Sequence, residues 1–178
     1  MRKTVPAFAR CAAVALILLA SASCGENGGT EPETPSEALF SAGPSLIQCP
    51  TSETLRSLPT LALPLVETIV SVGGTSITIP AGAVLSPTLI TVTVPASKYM
   101  EISVRANDLA HFIFQQPVEV TIDYSRCTRS DIDRAPVEAW YINAVTKQML
   151  EDMDGVDDKA TRRITFRTGH LSNYAVAF

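Results

Sequence analysis

Apolar and polar residues alternate in short runs from about Leu46 onward, and Gly, Pro, Asn and Asp separate these runs. A period of two residues turns one face of each run toward a core and the other toward water, which is typical of β-strands. About seven or eight such strands in roughly 120 residues predict an all-β chain folded as a single antiparallel β-sandwich over residues 46–178. The predicted core positions are Ile77, Ile79, Ile90, Val92, Val94, Val118, Val120, Ile122, Tyr124, Ile164 and Phe166.

Three segments depart from simple alternation. Residues 65–72 (LVETIVSV) and 137–143 (VEAWYIN) are apolar on both faces, which predicts central strands. Alternation would bury at least one of Trp140 and Tyr141, so core packing is favoured over an aromatic binding face. Residues 50–64 (PTSETLRSLPTLALP) permit a brief helical turn that their prolines would end.

The first 23 residues have the features of a bacterial secretion signal. A basic start precedes an apolar run over residues 11–20, which is too short for a membrane-spanning helix of roughly 20 residues. The run leads into LLASASC, which resembles the lipobox of bacterial lipoproteins and predicts cleavage before a lipidated Cys24, modified with acyl chains such as palmitate. Ser21 stands where that family prefers leucine, so the alternative is an ordinary signal peptidase that leaves Cys24 as a thiol.

Residues 24–45 are dense in Gly, Pro, Glu, Ser and Thr, a composition that predicts a flexible linker. Loss of the signal, with its three cations and no acid, changes the formal charge from −4 to −7. An acidic chain without clustered Lys and Arg favours no nucleic-acid partner. Gly25 after Cys24 fits the sorting habit of outer-membrane lipoproteins, so the expected partner of the N-terminus is the lipid bilayer of the outer membrane.

The cysteines support export. Cys11 leaves with the signal and Cys24 carries the lipid, so Cys49 and Cys127 remain as a pair. Two cysteines in an oxidising compartment predict one disulfide, and closing so long a loop contributes on the order of 4 kcal/mol in the chain-entropy model. The absence of a C-x-x-C motif argues against redox catalysis and against zinc.

The stretch VGGTSITIPAGAVLSPTLITVTVPAS resembles the opening of the ZU-five domain, a β-sandwich of zonula occludens proteins, netrin receptors and ankyrins, and HFIFQQPVEVTIDY resembles its Phe-x-x-Pro-Val segment. The resemblance covers about Leu65 to Phe178. It implies a protein-interaction or scaffolding module. The matching residues are Gly73, Gly74, Ile79, Pro80, Gly82, Ala83, Pro87, Thr88, Ile90, Thr91 and Val92.

The closing GHLSNYAVAF also resembles two self-cleavage motifs, the His-Phe-Ser of some ZU-five relatives and the His-Leu-Ser of adhesion receptors, although the paired cysteines usual upstream of the receptor motif are missing. In such a reaction Ser172 would attack the Leu171 carbonyl carbon while His170 takes the hydroxyl proton. A regular strand holds residues 170 and 172 about 6.6 Å apart, so the reaction needs a bend. Burial of both Leu171 and Tyr174 would require such a bend. The alternative is a turn residue, His170, before an ordinary strand.

Other groups give weaker signals. Asp152, Asp154, Asp157 and Asp158 surround Gly155 and could collect calcium, but they lack EF-hand spacing, so a solvated hairpin loop is expected. His111 has no second histidine nearby in sequence, and no Gly-x-Ser-x-Gly or Ser-His-Asp arrangement is evident. We therefore expect no metal, no cofactor and no enzyme. The sequence predicts an envelope lipoprotein whose β-sandwich binds another envelope protein, with self-cleavage between Leu171 and Ser172 as the alternative.

Overall fold

The computed structural model describes residues 43–128 and 132–178, and this part of the chain is all-β, as the alternation predicts. The signal peptide, Cys24 and the linker up to residue 42 lie outside the described residues. The strands are β1 Gln48–Thr51, β2 Leu55–Arg56, β3 Thr60–Ala62, β4 Thr68–Val72, β5 Thr75–Ile79, β6 Thr88–Val94, β7 Ser97–Tyr99, β8 Glu101–Ala106, β9 Phe112–Asp123, β10 Glu138–Ile142, β11 Met149–Asp152, β12 Val156–Asp158, β13 Arg163–Leu171 and β14 Asn173–Ala177.

Two antiparallel sheets form the body of the domain. The seven-stranded sheet runs β11-β10-β14-β8-β6-β2, with β3 also paired to β6, and the five-stranded sheet runs β12-β13-β9-β5-β4. A small third sheet pairs β1 with β7. The apolar faces of the two large sheets enclose one core. Each predicted core position is buried, which confirms the alternation as the signal for the fold.

The β4–β5 hairpin shows how the local sequence directs this topology. Val72 pairs with Thr75, so Gly73 and Gly74 form a two-residue turn, and both have positive φ, 56° and 83°. Such a turn matches the right-handed twist of the flanking strands. A Cβ atom on Gly74 would also lie 2.2 Å from Oδ2 of Asp123, so only glycine fits there.

The structure corrects two expectations. Residues 50–64 contain no helical turn but short pieces of strand that pair with β7 and β6. Residues 65–72 supply not a central strand but β4, at the end of the five-stranded sheet, with Ile69 exposed. The segment 137–143 does supply an internal strand, β10, although Trp140 and Tyr141 are both only partly buried there.

Cys49 and Cys127 form a disulfide, as the cysteine count predicts. Their Cα atoms lie 5.3 Å apart across a sequence separation of 78 residues. The bond joins β1 to the loop that follows β9. No helix among residues 43–128 and 132–178 is long and apolar enough to cross a membrane.

The strand directions give the domain two distinct ends. The chain enters beside the last residues of β14, where Ser45 exchanges backbone hydrogen bonds with Phe178 and Leu46 bridges Ala177. We call this the proximal end, and it also holds the disulfide. The antiparallel registers place four loops at the opposite, distal end, namely residues 63–67, 80–87, 107–111 and 143–148.

Candidate functional site

Several large apolar side chains at the distal end are exposed to solvent. They include Leu65 at 88%, Leu85 at 79% and Ile113 at 66%. Monomeric soluble domains tolerate single exposed leucines, and a concentration of them at one end of a domain is a candidate interaction surface. We call the group the distal apolar surface, and its members are Leu61, Leu63, Leu65, Val66, Leu85, Leu89, Leu109 and Ile113.

Backbone hydrogen bonds hold the loops of this surface together. Gly82 N–H donates to the Pro64 carbonyl at 2.6 Å, which joins the loop after β3 to the loop after β5. Gln115 N–H donates to the Ala83 carbonyl at 2.9 Å and joins that second loop to β9. These bonds join two of the loops to each other and to β9, which reduces the ordering that binding would require.

The chain changes sheets at Ser172, beside this surface. Strand β13 ends at Leu171 in the five-stranded sheet, and β14 begins at Asn173 in the seven-stranded sheet. Leu171 and Tyr174 are both fully buried, so the bend that the sequence requires between them is present. A second irregularity lies between Thr168 and His170, where the pairing of β13 with β9 shifts register.

A hydrogen-bond network holds this crossing. The Tyr174 hydroxyl donates to the His170 carbonyl oxygen, and the Thr168 hydroxyl donates to the same oxygen at 3.0 Å. Thr168 Oγ1 also lies 3.3 Å from the Tyr174 hydroxyl. Burial, with the nearby Tyr141 and Glu151, raises the pKa of the Tyr174 phenol, so this hydroxyl remains a donor at all ordinary pH values.

The two histidines of the chain meet next to this network. The ring centroids of His111 and His170 lie 5.8 Å apart, although 59 residues separate the two positions. His111 is the last residue of the loop between β8 and β9, and His170 is on β13. Tyr141 contacts the His170 ring edge to face at 5.2 Å. The two histidines are far apart in the sequence, and the antiparallel pairing of β9 with β13 brings them together. Their spacing in the sequence therefore does not predict the pair.

The structure gives His170 partners other than the serine. Nδ1 of its ring is 3.5 Å from the Tyr174 hydroxyl and Nε2 is 4.0 Å from Oε2 of Glu151. Ser172 is buried, and its carbonyl accepts a hydrogen bond from Val104 N–H at 3.0 Å. Among the described residues no hydrogen bond joins His170 to Ser172.

Three of the four aspartates around Gly155 accept hydrogen bonds through their carboxylates. The segment is not the hairpin loop that the sequence predicts, because β11 and β12 belong to different sheets. Asp157 accepts from the Tyr124 hydroxyl and pairs with Lys159 at 2.9 Å, and Asp158 accepts from the Thr161 hydroxyl at 2.7 Å. Asp152 accepts from the backbone N–H of Asp154 at 3.0 Å. No group of three or more His, Cys, Asp or Glu side chains in residues 43–128 and 132–178 could hold a metal ion.

Two shallow depressions, of about 400 and 430 Å³, flank Glu119 and Arg167 on the outer face of the five-stranded sheet. These two side chains pair at 3.8 Å and are both well exposed. Neither depression is lined by histidine, serine or cysteine.

The sequence did not reveal the distal apolar surface or the histidine pair. Leu65 and Leu85 stand near Pro64 and Pro87, but the sequence does not separate such apolar residues from those of the core. The histidine pair has no sign in the sequence either, since it depends on the register between distant strands.

Comparison with known proteins returned no match, neither to a protein-family model nor to a curated protein. The resemblance to ZU-five domains and to the His-Leu-Ser motif accordingly stays a prediction.

Proposed function

We propose that this protein is a non-catalytic, lipid-anchored protein of the bacterial cell envelope whose ZU-five-like β-sandwich binds another envelope protein through the distal apolar surface. The observation that carries the proposal is the position of that surface. It lies opposite the end where the chain enters the domain at Leu46. A lipid anchor at Cys24 would therefore not cover this surface.

Two further features support this reading. A disulfide such as Cys49–Cys127 belongs to proteins that leave the reducing cytoplasm, which agrees with the basic and apolar start of the sequence. Residues 24–45, 22 in all, extend to at most about 75 Å, so a lipid at Cys24 leaves the domain a wide range of reach.

Anchoring is tested by globomycin, which blocks the peptidase that processes lipoproteins. Treated cells should accumulate the uncut precursor, and Cys24→Ser should prevent lipid attachment and release the domain from the membrane fraction. Normal processing in the presence of the drug would contradict the lipidation of Cys24, although it would leave the binding surface untested.

The binding surface is tested by photocrosslinking in cells. A photoreactive residue at position 85 should crosslink to one defined envelope protein, whereas the same residue at the exposed Val156 on β12 should not. Purified partner should then bind the wild-type chain and lose at least tenfold in affinity with Leu85→Asp, while Val156→Asp binds normally. Equal crosslinking at both positions, or equal affinity of both variants, would contradict the proposal.

The second candidate is self-cleavage between Leu171 and Ser172, and the change of sheet at Ser172 is the observation that favours it. Cleavage would remove residues 172–178, which could stay paired in the sheet, so intact mass under denaturing conditions is the measurement. We expect a full-length mass for the wild type, for Ser172→Ala and for His170→Ala. A wild-type chain short by residues 172–178, restored in either variant, would replace the binding proposal with a self-processing one.

A further inference from the structure

The two histidines at the distal end, which are not among the members of the distal apolar surface, carry imidazoles of the kind that ligate metal ions. His111 is exposed, and the side chain of His170 is 24% exposed, so both rings can be reached from solvent. The groups that face them are the Tyr141 ring, the Tyr174 hydroxyl and the Glu151 carboxylate.

The hydrogen bonds around His170 select one tautomer of its ring. The Tyr174 hydroxyl donates its only proton to the His170 carbonyl, so toward Nδ1 its oxygen acts as an acceptor. A neutral His170 ring that donates from Nδ1 toward this oxygen, 3.5 Å away, leaves the lone pair of Nε2 free. A histidine held in this way by a partner on its other nitrogen is arranged as metal-ligating histidines usually are.

The separation of the rings fits a shared ion. Two imidazoles that bind one ion through nitrogens at about 2.1 Å place their ring centroids about 5.3 Å apart at a tetrahedral angle. The observed separation is 5.8 Å, so a shared ion requires a small approach of the rings and a rotation that turns one nitrogen of each toward the ion. His111 is on an exposed loop and can rotate its ring to supply that approach.

From this geometry we infer that His111 and His170 bind one first-row divalent transition-metal ion, such as Zn²⁺ or Cu²⁺, with water in the remaining coordination positions. Imidazole ligands suit these ions and disfavour Mg²⁺ and Ca²⁺, which prefer oxygen. Glu151 is not a ligand in this proposal. Its Oε2 lies 4.0 Å from Nε2 of His170, and its negative charge attracts the cation.

The test is titration of the purified full chain in detergent with Zn²⁺ and, separately, Cu²⁺, followed by calorimetry and by the ring C–H resonances of the two histidines. One ion per chain should bind, with both histidines perturbed together. His111→Asn should weaken this binding at least tenfold, because it removes one of two ligands. His170→Asn should have the same effect, and Glu151→Gln should weaken it only a few-fold.

Asp108→Asn is the matched control, because Asp108 is an exposed acid on the same loop as His111. Its affinity should equal that of the wild type. Any binding by the cysteines or the amino terminus persists in every variant and is subtracted. If His170→Asn does not fold, the exposed His111→Asn decides the question alone. Binding weaker than about 100 μM, or binding that His111→Asn leaves unchanged, would overturn the inference, whereas partner crosslinking at position 85 stands independently of both results.

Discussion

At the scale of single residues, the polar groups that matter most are buried and paired. The side chain of Glu101, in the seven-stranded sheet, is 5% exposed and forms an ion pair with Lys147 at 2.6 Å. The backbone of Lys147 has a positive φ of 61°. Tyr124 is buried against Asp157, and the pKa of its phenol is raised by burial first and by that carboxylate second. A buried charge that keeps its partner is tolerated, whereas one left alone is strongly destabilising.

Asp123 makes the stability depend on pH. Burial alone would raise the pKa of its carboxyl group, but hydrogen bonds from Ser125 and the Arg163 guanidinium outweigh burial and lower the pKa. A carboxyl group with a lowered pKa in the folded state stabilises the fold above its unfolded pKa, and this contribution disappears as the pH falls through the folded value.

We therefore expect Asp123→Asn to lower the free energy of unfolding by about 1 kcal/mol at pH 7, and the difference from the wild type to shrink below about pH 4. Urea unfolding at a series of pH values measures both quantities. Glu119→Gln is the control, because the Glu119 pair with Arg167 is exposed and long at 3.8 Å. A difference for Asp123→Asn that stays constant down to pH 3 would contradict this account.

At the scale of elements, the crossing from β13 to β14 depends on the Tyr174 hydroxyl. Tyr174→Phe keeps the buried ring and removes the donor to the His170 carbonyl, so we expect a loss of about 1–2 kcal/mol of stability. Chemical denaturation measures the loss. Tyr141→Phe is the matched control, since Tyr141 is partly exposed and its hydroxyl has no hydrogen bond among the described residues, and it should change stability by under about 0.5 kcal/mol. Equal losses for the two variants would show that the hydroxyl network does not hold the crossing.

The strands themselves were predictable wherever local alternation decides burial. Ile77 and Ile79 face the core as expected, and the parity change between Leu171 and Tyr174 correctly marked a bend. The errors arose where non-local pairing decides. The β1, β2 and β3 segments are too short to show a period, and their conformation comes from β7 and β6, far away in sequence.

The candidate site was less predictable than the fold for the same reason. Apolar residues such as Leu65 are indistinguishable in composition from core residues until the sheets are assembled, and only then does the distal end leave them uncovered. His111 and His170 likewise become neighbours through the register of β9 and β13. The spacing of motifs in the sequence therefore predicts neither the exposed apolar residues nor the histidine pair.

At the scale of the whole molecule, the disulfide joins the first strand to a loop beyond the middle of the chain. Replacing both Cys49 and Cys127 by alanine should lower the free energy of unfolding by about 4 kcal/mol, because the unfolded chain regains the freedom of a loop of 78 residues. Thermal unfolding with and without reductant measures this: reductant should lower the midpoint of the wild type and leave the double variant unchanged. Free thiols at both positions in protein isolated from the envelope would contradict the bond.

The position of β14 also sets an order of events during synthesis. Residues 173–177 lie between β8 and β10, so the seven-stranded sheet has a gap at its centre until they arrive. A chain delivered from its N-terminus would therefore keep two unpaired strand edges, and a sequence truncated before Asn173 would leave both open to aggregation and proteolysis. If the chain is exported as we propose, delayed closure of this kind would keep the sheet open while the chain crosses the membrane.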